Sequence, residues 1–300
     1  MKNKFEKISE ILFVLPQFIL YLLFTIIPFL MIIPFMFTNM VSVDSNTYNF
    51  IGFGNFKEIF GPLYLPNFSE VVSRTALFTF FNYLTVFIFG LTLALILYEK
   101  VIRAQKAFTI VIYLPYVIAG LAAGMFLPML FHPDTGSLNL LLEKIGLIDN
   151  PIDIKTNLGT MIALPILVGW RYAGYNMAIF LVGLSSIPRE TIEASEIDGA
   201  SYFQRLIHVY LPQMVPFIML ATISCLIGSF GIFDEAVGMG GLAGNRNAEL
   251  FALYLYRVGV ASQVSKIGTF SMGMAASFIV NIPLAAIAIS LLRWQRRLQY

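Results

Sequence analysis

The chain has 300 residues, of which 12% are charged and 58% are hydrophobic, with a mean hydropathy of +0.79. A soluble domain carries roughly 45–50% apolar residues, and a net charge of +2 gives no basic field to hold a polyanion. These figures exclude a soluble enzyme, a disordered chain and a nucleic-acid binder, and leave a polytopic membrane protein.

Residues 1–10 form a short N-terminus in which Lys2, Lys4 and Lys7 precede an apolar run. A signal peptide opens in the same way, but the first alanine of the chain is Ala76, so no Ala-x-Ala cleavage site is available and an uncleaved span is expected. A spanning helix needs about 20 mostly apolar residues. Runs of that kind place spans at 11–37, 75–98, 108–131, 158–184, 213–233 and 267–292. The expected fold class is therefore an all-α membrane protein with six transmembrane helices in one domain, 11–300. With both termini inside, the cytoplasmic pieces hold eleven Lys and Arg in 55 residues, against seven in the 96 residues outside. The positive-inside rule then gives an N-in, C-in orientation, anchored by Arg293, Arg296 and Arg297.

Within the spans, Gly120 and Gly124, and then Gly273 and Ser277, form small-x-x-x-small pairs that let helices approach closely. Seven prolines, Pro28, Pro34, Pro115, Pro128, Pro165, Pro216 and Pro283, lie in or at the ends of spans and are expected to kink them. Arg171 is the only charge well inside a span, 13 residues from each end of 158–184. A central Arg costs about 2.5–3.5 kcal/mol on insertion scales, so it must face a polar cavity or a partner. Trp170, Tyr172, Tyr175 and Asn176 surround it. Aromatic rings beside hydrogen-bonding groups suit a sugar, and an Arg suits a phosphate or carboxylate. Arg171 therefore either lines a substrate path or pairs with a carbonyl or acid and stabilises packing. Asn82 and Tyr83, with Ser277 and Asn281, are weaker path candidates that also fit interhelical hydrogen bonds. No metal and no cofactor is expected: His132 and His208 lie in loops without a ligand-spaced partner, and Cys225 is alone.

The cytoplasmic segment 185–212 holds four of the chain's 17 acids. Pro188 suits the start of a helix, Glu190 and Glu193 suit its positive end, and Gly199 is placed to stop it. Ser201 and Gln204 then have capping-box spacing for a second helix, on which Tyr202, Leu206 and Tyr210 share one stripe. Two short helices bent at a glycine could lie on the bilayer or dock on a protein. Interfacial helices favour Lys and Arg over acids, so the composition leans towards a protein partner.

Glu193-Ala194-Ser195, then Asp198-Gly199-Ala200, then Val209-Tyr210-Leu211-Pro212 resemble the EAA signature of permease subunits in binding-protein-dependent ATP-binding-cassette importers. Ser195 stands for the second Ala and Val209 for Ile, with the spacing kept. Gly52-Phe53-Gly54-Asn55-Phe56, the stretch Phe131 to Gly136 with Asn139, and Phe233-Asp234 with Met239-Gly240-Gly241 resemble the maltose-type (MalF-like) sugar permeases. Leu242 and the missing Thr before the glycines depart from that group.

The resemblance implies a type I importer permease (MetI-like) fold in a bacterial or archaeal cell membrane. Glu190, Glu193, Ala194, Ser195, Asp198, Gly199, Ala200, Leu211 and Pro212 would form the loop that docks on an ATPase. The implied partners are a second, MalG-like permease subunit, two cytoplasmic ATPase subunits, an extracytoplasmic solute-binding protein and the lipid bilayer. The implied cargo is a sugar, an oligosaccharide, or a polyol or glycerol phosphate, moved by alternating access without covalent chemistry. The alternative is a secondary transporter or channel, which needs acids buried in its spans for a coupling ion. None lies between the span ends, and Asp234 sits at a boundary. Intramembrane-enzyme motifs are absent too: the chain has no H-E-x-x-H and no G-x-S-x-G.

Overall fold

The computed structural model describes residues 4–262 and 267–298, with side chains from Leu12 to Arg297. Lys2 and Lys266 lie outside the described residues. Among the described residues the regular structure is helical, joined by turns and loops, with one isolated antiparallel bridge between Thr38 and Phe50. Among the described residues, three helices are long and apolar enough to cross a bilayer: Leu12–Phe37, Leu65–Tyr98 and Phe270–Arg297. Two of them extend beyond the apolar runs, one beginning ten residues before Thr75 and the other continuing past Leu292. The cause is that polar residues such as Ser69, Glu70 and Arg74 continue a helix beyond the reach of a purely apolar window.

The chain divides into two compact units, residues 1–68 with 255–281, and residues 69–254 with 282–300. In the first unit the N-terminal helix loosens to a π-turn at Leu22–Ile26 and tightens to a 3-10 turn at Ile33–Phe37, each segment followed or entered by a proline. The loop after it is stapled by Asn55. Its buried amide donates to the carbonyls of Met36 (2.8 Å) and Thr38 (2.7 Å). Two backbone carbonyls released at a helix end thereby gain a donor in place of water. The Ser271 backbone N–H donates to the Met40 carbonyl at 3.1 Å, and the Met40 N–H donates to the Ser271 hydroxyl at 3.1 Å.

The second unit has two apolar clusters. One gathers Phe78, Leu164, Leu167, Val168, Ile232, Ala236 and Leu253. The other gathers Leu91, Ala94, Met177, Phe180, Leu184, Tyr210 and Ala221. Leu65–Tyr98 and the pair Asn157–Arg171 and Ala173–Ser185 run through both, while Val215–Phe230 carries Ala221 of the second cluster and ends two residues before Ile232 of the first. The pair is interrupted only at Tyr172, whose N–H still reaches the Val168 carbonyl at 3.0 Å. Between the clusters, on each helix, the sequence turns polar: Asn82, then Tyr172 and Asn176, then Cys225 and Ser229.

The 108–131 run is not one straight helix. Gln105–Val117 and Gly120–Leu130 meet at 94°. Pro115 removes an N–H from the ladder, and Ile118 (ψ 134°) and Ala119 (ψ 136°) are extended. The second arm lies against a short helix, Asp234–Gly238. A methyl group on Gly124 would stand 2.9 Å from both Glu235 Cα and Gly238 Cα, so the two backbones touch with no side-chain layer between them. Likewise 213–233 reduces to the 16-residue helix Val215–Phe230, which meets Tyr202–Gln213 at 71°.

Candidate functional site

The polar belt between the two clusters encloses a cavity of about 130 Å³. Asn82, Tyr172, Tyr175 and Asn176 line it, as do Ser224, Cys225, Gly228 and Ser229. Tyr172, Tyr175 and Asn176 stand three and four residues apart, so a helix stacks them on one face. Asn82 is 4% exposed. Its amide nitrogen donates to Ser229 Oγ at 3.1 Å and to Cys225 Sγ at 3.5 Å, while its Oδ1 has no hydrogen-bond partner. A buried carbonyl oxygen left unbonded costs free energy until a donor reaches it. Tyr116, which the sequence does not single out, stacks on Tyr175 (centroids 6.0 Å, planes 12° apart) and meets Tyr172 edge-on at 5.6 Å. Tyr116 and Tyr175 are 42% and 41% exposed, so the aromatic wall ends at an open edge.

The remaining path candidates lie elsewhere. Trp170 stacks on Phe126 and faces a separate, apolar cavity of about 520 Å³. It sits two residues from Tyr172, about 200° round a helix of 3.6 residues per turn. Tyr83 accepts a hydrogen bond from the Thr222 hydroxyl at 3.3 Å, and Asn281 donates to Ser277 on its own helix at 2.9 Å. Arg171 does not line the cavity. Its Nε donates to the Ile118 carbonyl at 3.0 Å, one Nη pairs with the Glu235 carboxylate, and the same Nη reaches the Tyr172 hydroxyl at 3.3 Å. The guanidinium also lies 5.2 Å from the Tyr172 ring centre. Glu235, an acid buried next to the span end with its side chain 4% exposed, is not singled out by the sequence. Adjacent to Asp234 in a loop-like stretch, it has no distinguishing pattern in the sequence.

The 185–212 loop forms two helices, as its capping residues dictate. Arg189–Ile197 starts after Pro188, which occupies the cap itself, and Glu190 lies in the first turn. Gly199 has φ +76°, and the Ala200 N–H bonds back to the Ser195 carbonyl at 3.0 Å, closing the helix end. Ser201 and Gln204 make the capping box. Arg205 pairs with Glu196 across the glycine turn and fixes the two arms against each other. Tyr210 anchors the second arm: it is 2% exposed, packs edge-on against Tyr98 and donates to the Glu99 carboxylate at 3.2 Å. Burial, and then the Glu99 carboxylate, push the Tyr210 hydroxyl up to about 12, so it stays a neutral donor. Glu193, Ala194, Asp198 and Gly199 are exposed, with Ile197, Phe203 and Ile207 as exposed apolar neighbours. Ser195, Ala200 and Leu211 are half-buried and Pro212 is exposed.

Residues 77–299 match the family described as binding-protein-dependent transport system inner membrane component. The chain belongs to that family. This permease is 27% identical over 290 residues to the probable ABC transporter permease protein YurN of Bacillus subtilis (strain 168), covering 96% of this chain and 95% of the relative. It is 25% identical over 291 residues to the arabinooligosaccharides transport system permease protein AraP of the same organism, covering 96% and 88%. Its fold matches a chain of the bacterial alginate ABC transporter in complex with alginate pentasaccharide-bound periplasmic protein. The TM-score is 0.79 at 20% identity, covering 99% of this chain and 98% of that one. The protein is thus an all-helical inner-membrane transport component and not an enzyme.

Proposed function

We propose that this permease moves a carbohydrate handed over by an extracytoplasmic binding protein, and that ATPase subunits drive it through the 185–212 loop. The carrying observation is the cavity around Asn82: one orphaned carbonyl oxygen, a row of neutral amides and hydroxyls, and a tyrosine wall. Hydroxyl groups of a sugar supply the missing donor, and its apolar ring faces suit stacked tyrosines. The name of AraP, an arabinooligosaccharide permease, supports the same cargo class. At about 130 Å³ the cavity is below the roughly 300–1,000 Å³ of a drug-sized pocket, which fits a closed stage of alternating access.

Six crossings with both termini inside remain the topology we favour. The three long helices, the bent 105–130 segment, the 157–185 pair and Val215–Phe230 supply them. A second permease subunit completes the path, since Tyr116 and Tyr175 stand at an open edge.

Cys225 lies in the cavity wall and is the sole cysteine of the chain, which makes it a built-in reporter. In the assembled transporter, the carbohydrate that binds the cognate binding protein in a panel assay is expected to slow thiol labelling of Cys225 during turnover. A binding protein that takes no carbohydrate from the panel, and instead takes amino acids or peptides, overturns the cargo class. Labelling untouched by transported carbohydrate overturns the location of the path.

A further inference from the structure

One side chain ties the cavity-lining helix pair to two elements that flank it. Arg171 ends the Asn157–Arg171 helix, directly before the cavity residue Tyr172. Its Nε–H holds the Ile118 carbonyl, an acceptor freed because the chain is extended at the 94° bend. Its other end holds Glu235, in the first turn of Asp234–Gly238. Both side chains are largely out of solvent, 14% exposed for Arg171 and 4% for Glu235. Behind Glu235 the fit allows no slack: a methyl group on Gly120 would lie 2.8 Å from Asp234 Cβ and 3.3 Å from the Glu235 carboxyl carbon. Tyr116, two residues before the held carbonyl, is the ring stacked on Tyr175.

We propose that Arg171 is a positioning residue for transport. Its bonds to Glu235 and to the Ile118 carbonyl pin the bent 105–130 segment and the 234–238 helix to the cavity wall, and so set how far the space around Asn82 opens. The guanidinium is consumed by this task. Its charge is neutralised by Glu235, its planar fork is used in two directions, and it is not a ligand for the solute. A Lys in its place keeps a cation near Glu235 but loses the fixed direction towards Ile118.

The test is the rate of Cys225 labelling by a small maleimide, in membranes holding the full chain with its co-expressed transporter subunits, well below the thermal midpoint. Arg171→Gln and Glu235→Gln are each expected to speed labelling at least about tenfold, with Arg171→Lys between them and the native chain. The double substitution is expected to label no faster than the faster single, because both act through one pin. A role confined to stability predicts a lower thermal midpoint with native labelling. That result, or single effects that multiply in the double variant, overturns the proposal. If Arg171→Gln does not accumulate, Arg171→Lys and Glu235→Gln carry the same comparison. A second arm measures uptake, expected to lose maximal rate more than apparent affinity in Arg171→Lys. This arm rests on the carbohydrate reading. Failure of that reading leaves the labelling arm intact, and native labelling rates sink the pin whatever the cargo.

Discussion

Gly199→Val is expected to reduce ATP-driven uptake to background while the chain still inserts and accumulates in the membrane. A side chain at Gly199 meets nothing within 4 Å, so the damage is not steric crowding within this subunit. It comes from φ +76°, a conformation that a β-branched residue adopts at a cost of about 1–3 kcal/mol. The chain escapes that cost by relaxing the turn. The bond from Ala200 to the Ser195 carbonyl then breaks, and Arg205 no longer aligns with Glu196. A loop whose two arms no longer hold a fixed angle cannot pass a rigid displacement from an ATPase to the membrane helices. Gly199→Asn is the control, because Asn tolerates the left-handed region. Uptake near native in Asn and absent in Val assigns the effect to backbone conformation. Loss in both assigns it to a partner surface that needs a bare backbone, and native uptake in Val removes the loop from the coupling path.

Gly124→Val is expected to destabilise the solubilised transporter by at least ~3 kcal/mol and to speed Cys225 labelling. Overpacked core positions cost typically ~1–3 kcal/mol when side chains can move aside. Here the obstruction is Glu235 Cα and Gly238 Cα at 2.9 Å, which are backbone atoms of a second helix. Relief requires the 120–130 arm and the 234–238 helix to separate, which also draws Glu235 away from Arg171. The check is a denaturation midpoint together with the labelling rate. A loss below ~0.5 kcal/mol, within the range of ordinary surface substitutions, shows that the two backbones part freely.

Local devices could be read from the sequence because their partners are near in the chain. The loop is the clearest case: Pro188, Gly199, Ser201 and Gln204 act within four residues of themselves, and the structure has both helices and the capping box where those residues put them. Asn82, Tyr172, Tyr175 and Asn176 could be chosen as polar residues in apolar runs, and they share one cavity. Pro115 and Pro128 mark 108–131 for a kink, but the 94° angle is not legible in the run itself, because the bend is sealed by Gly124 against Gly238, 114 positions later. The partner of Arg171 was hidden for the same reason, since Glu235 is 64 positions away. Tyr116, a tyrosine near a proline in an apolar run, carries no periodic mark, and its role as a wall appears only when Tyr175 is stacked on it.

The Arg171–Glu235 pair also bears on how the chain is made. A ribosome adds roughly 5–20 residues per second. Glu235 therefore emerges several seconds after Arg171, and through that interval the translocon handles an arginine whose counter-ion has not yet been synthesised. The Ile118 carbonyl, already made, is the first partner on hand. Inserted before then, the fourth apolar run carries its arginine at a cost of about 2.5–3.5 kcal/mol until Glu235 arrives to neutralise it. A chain truncated before residue 235 keeps that charge without its carboxylate partner.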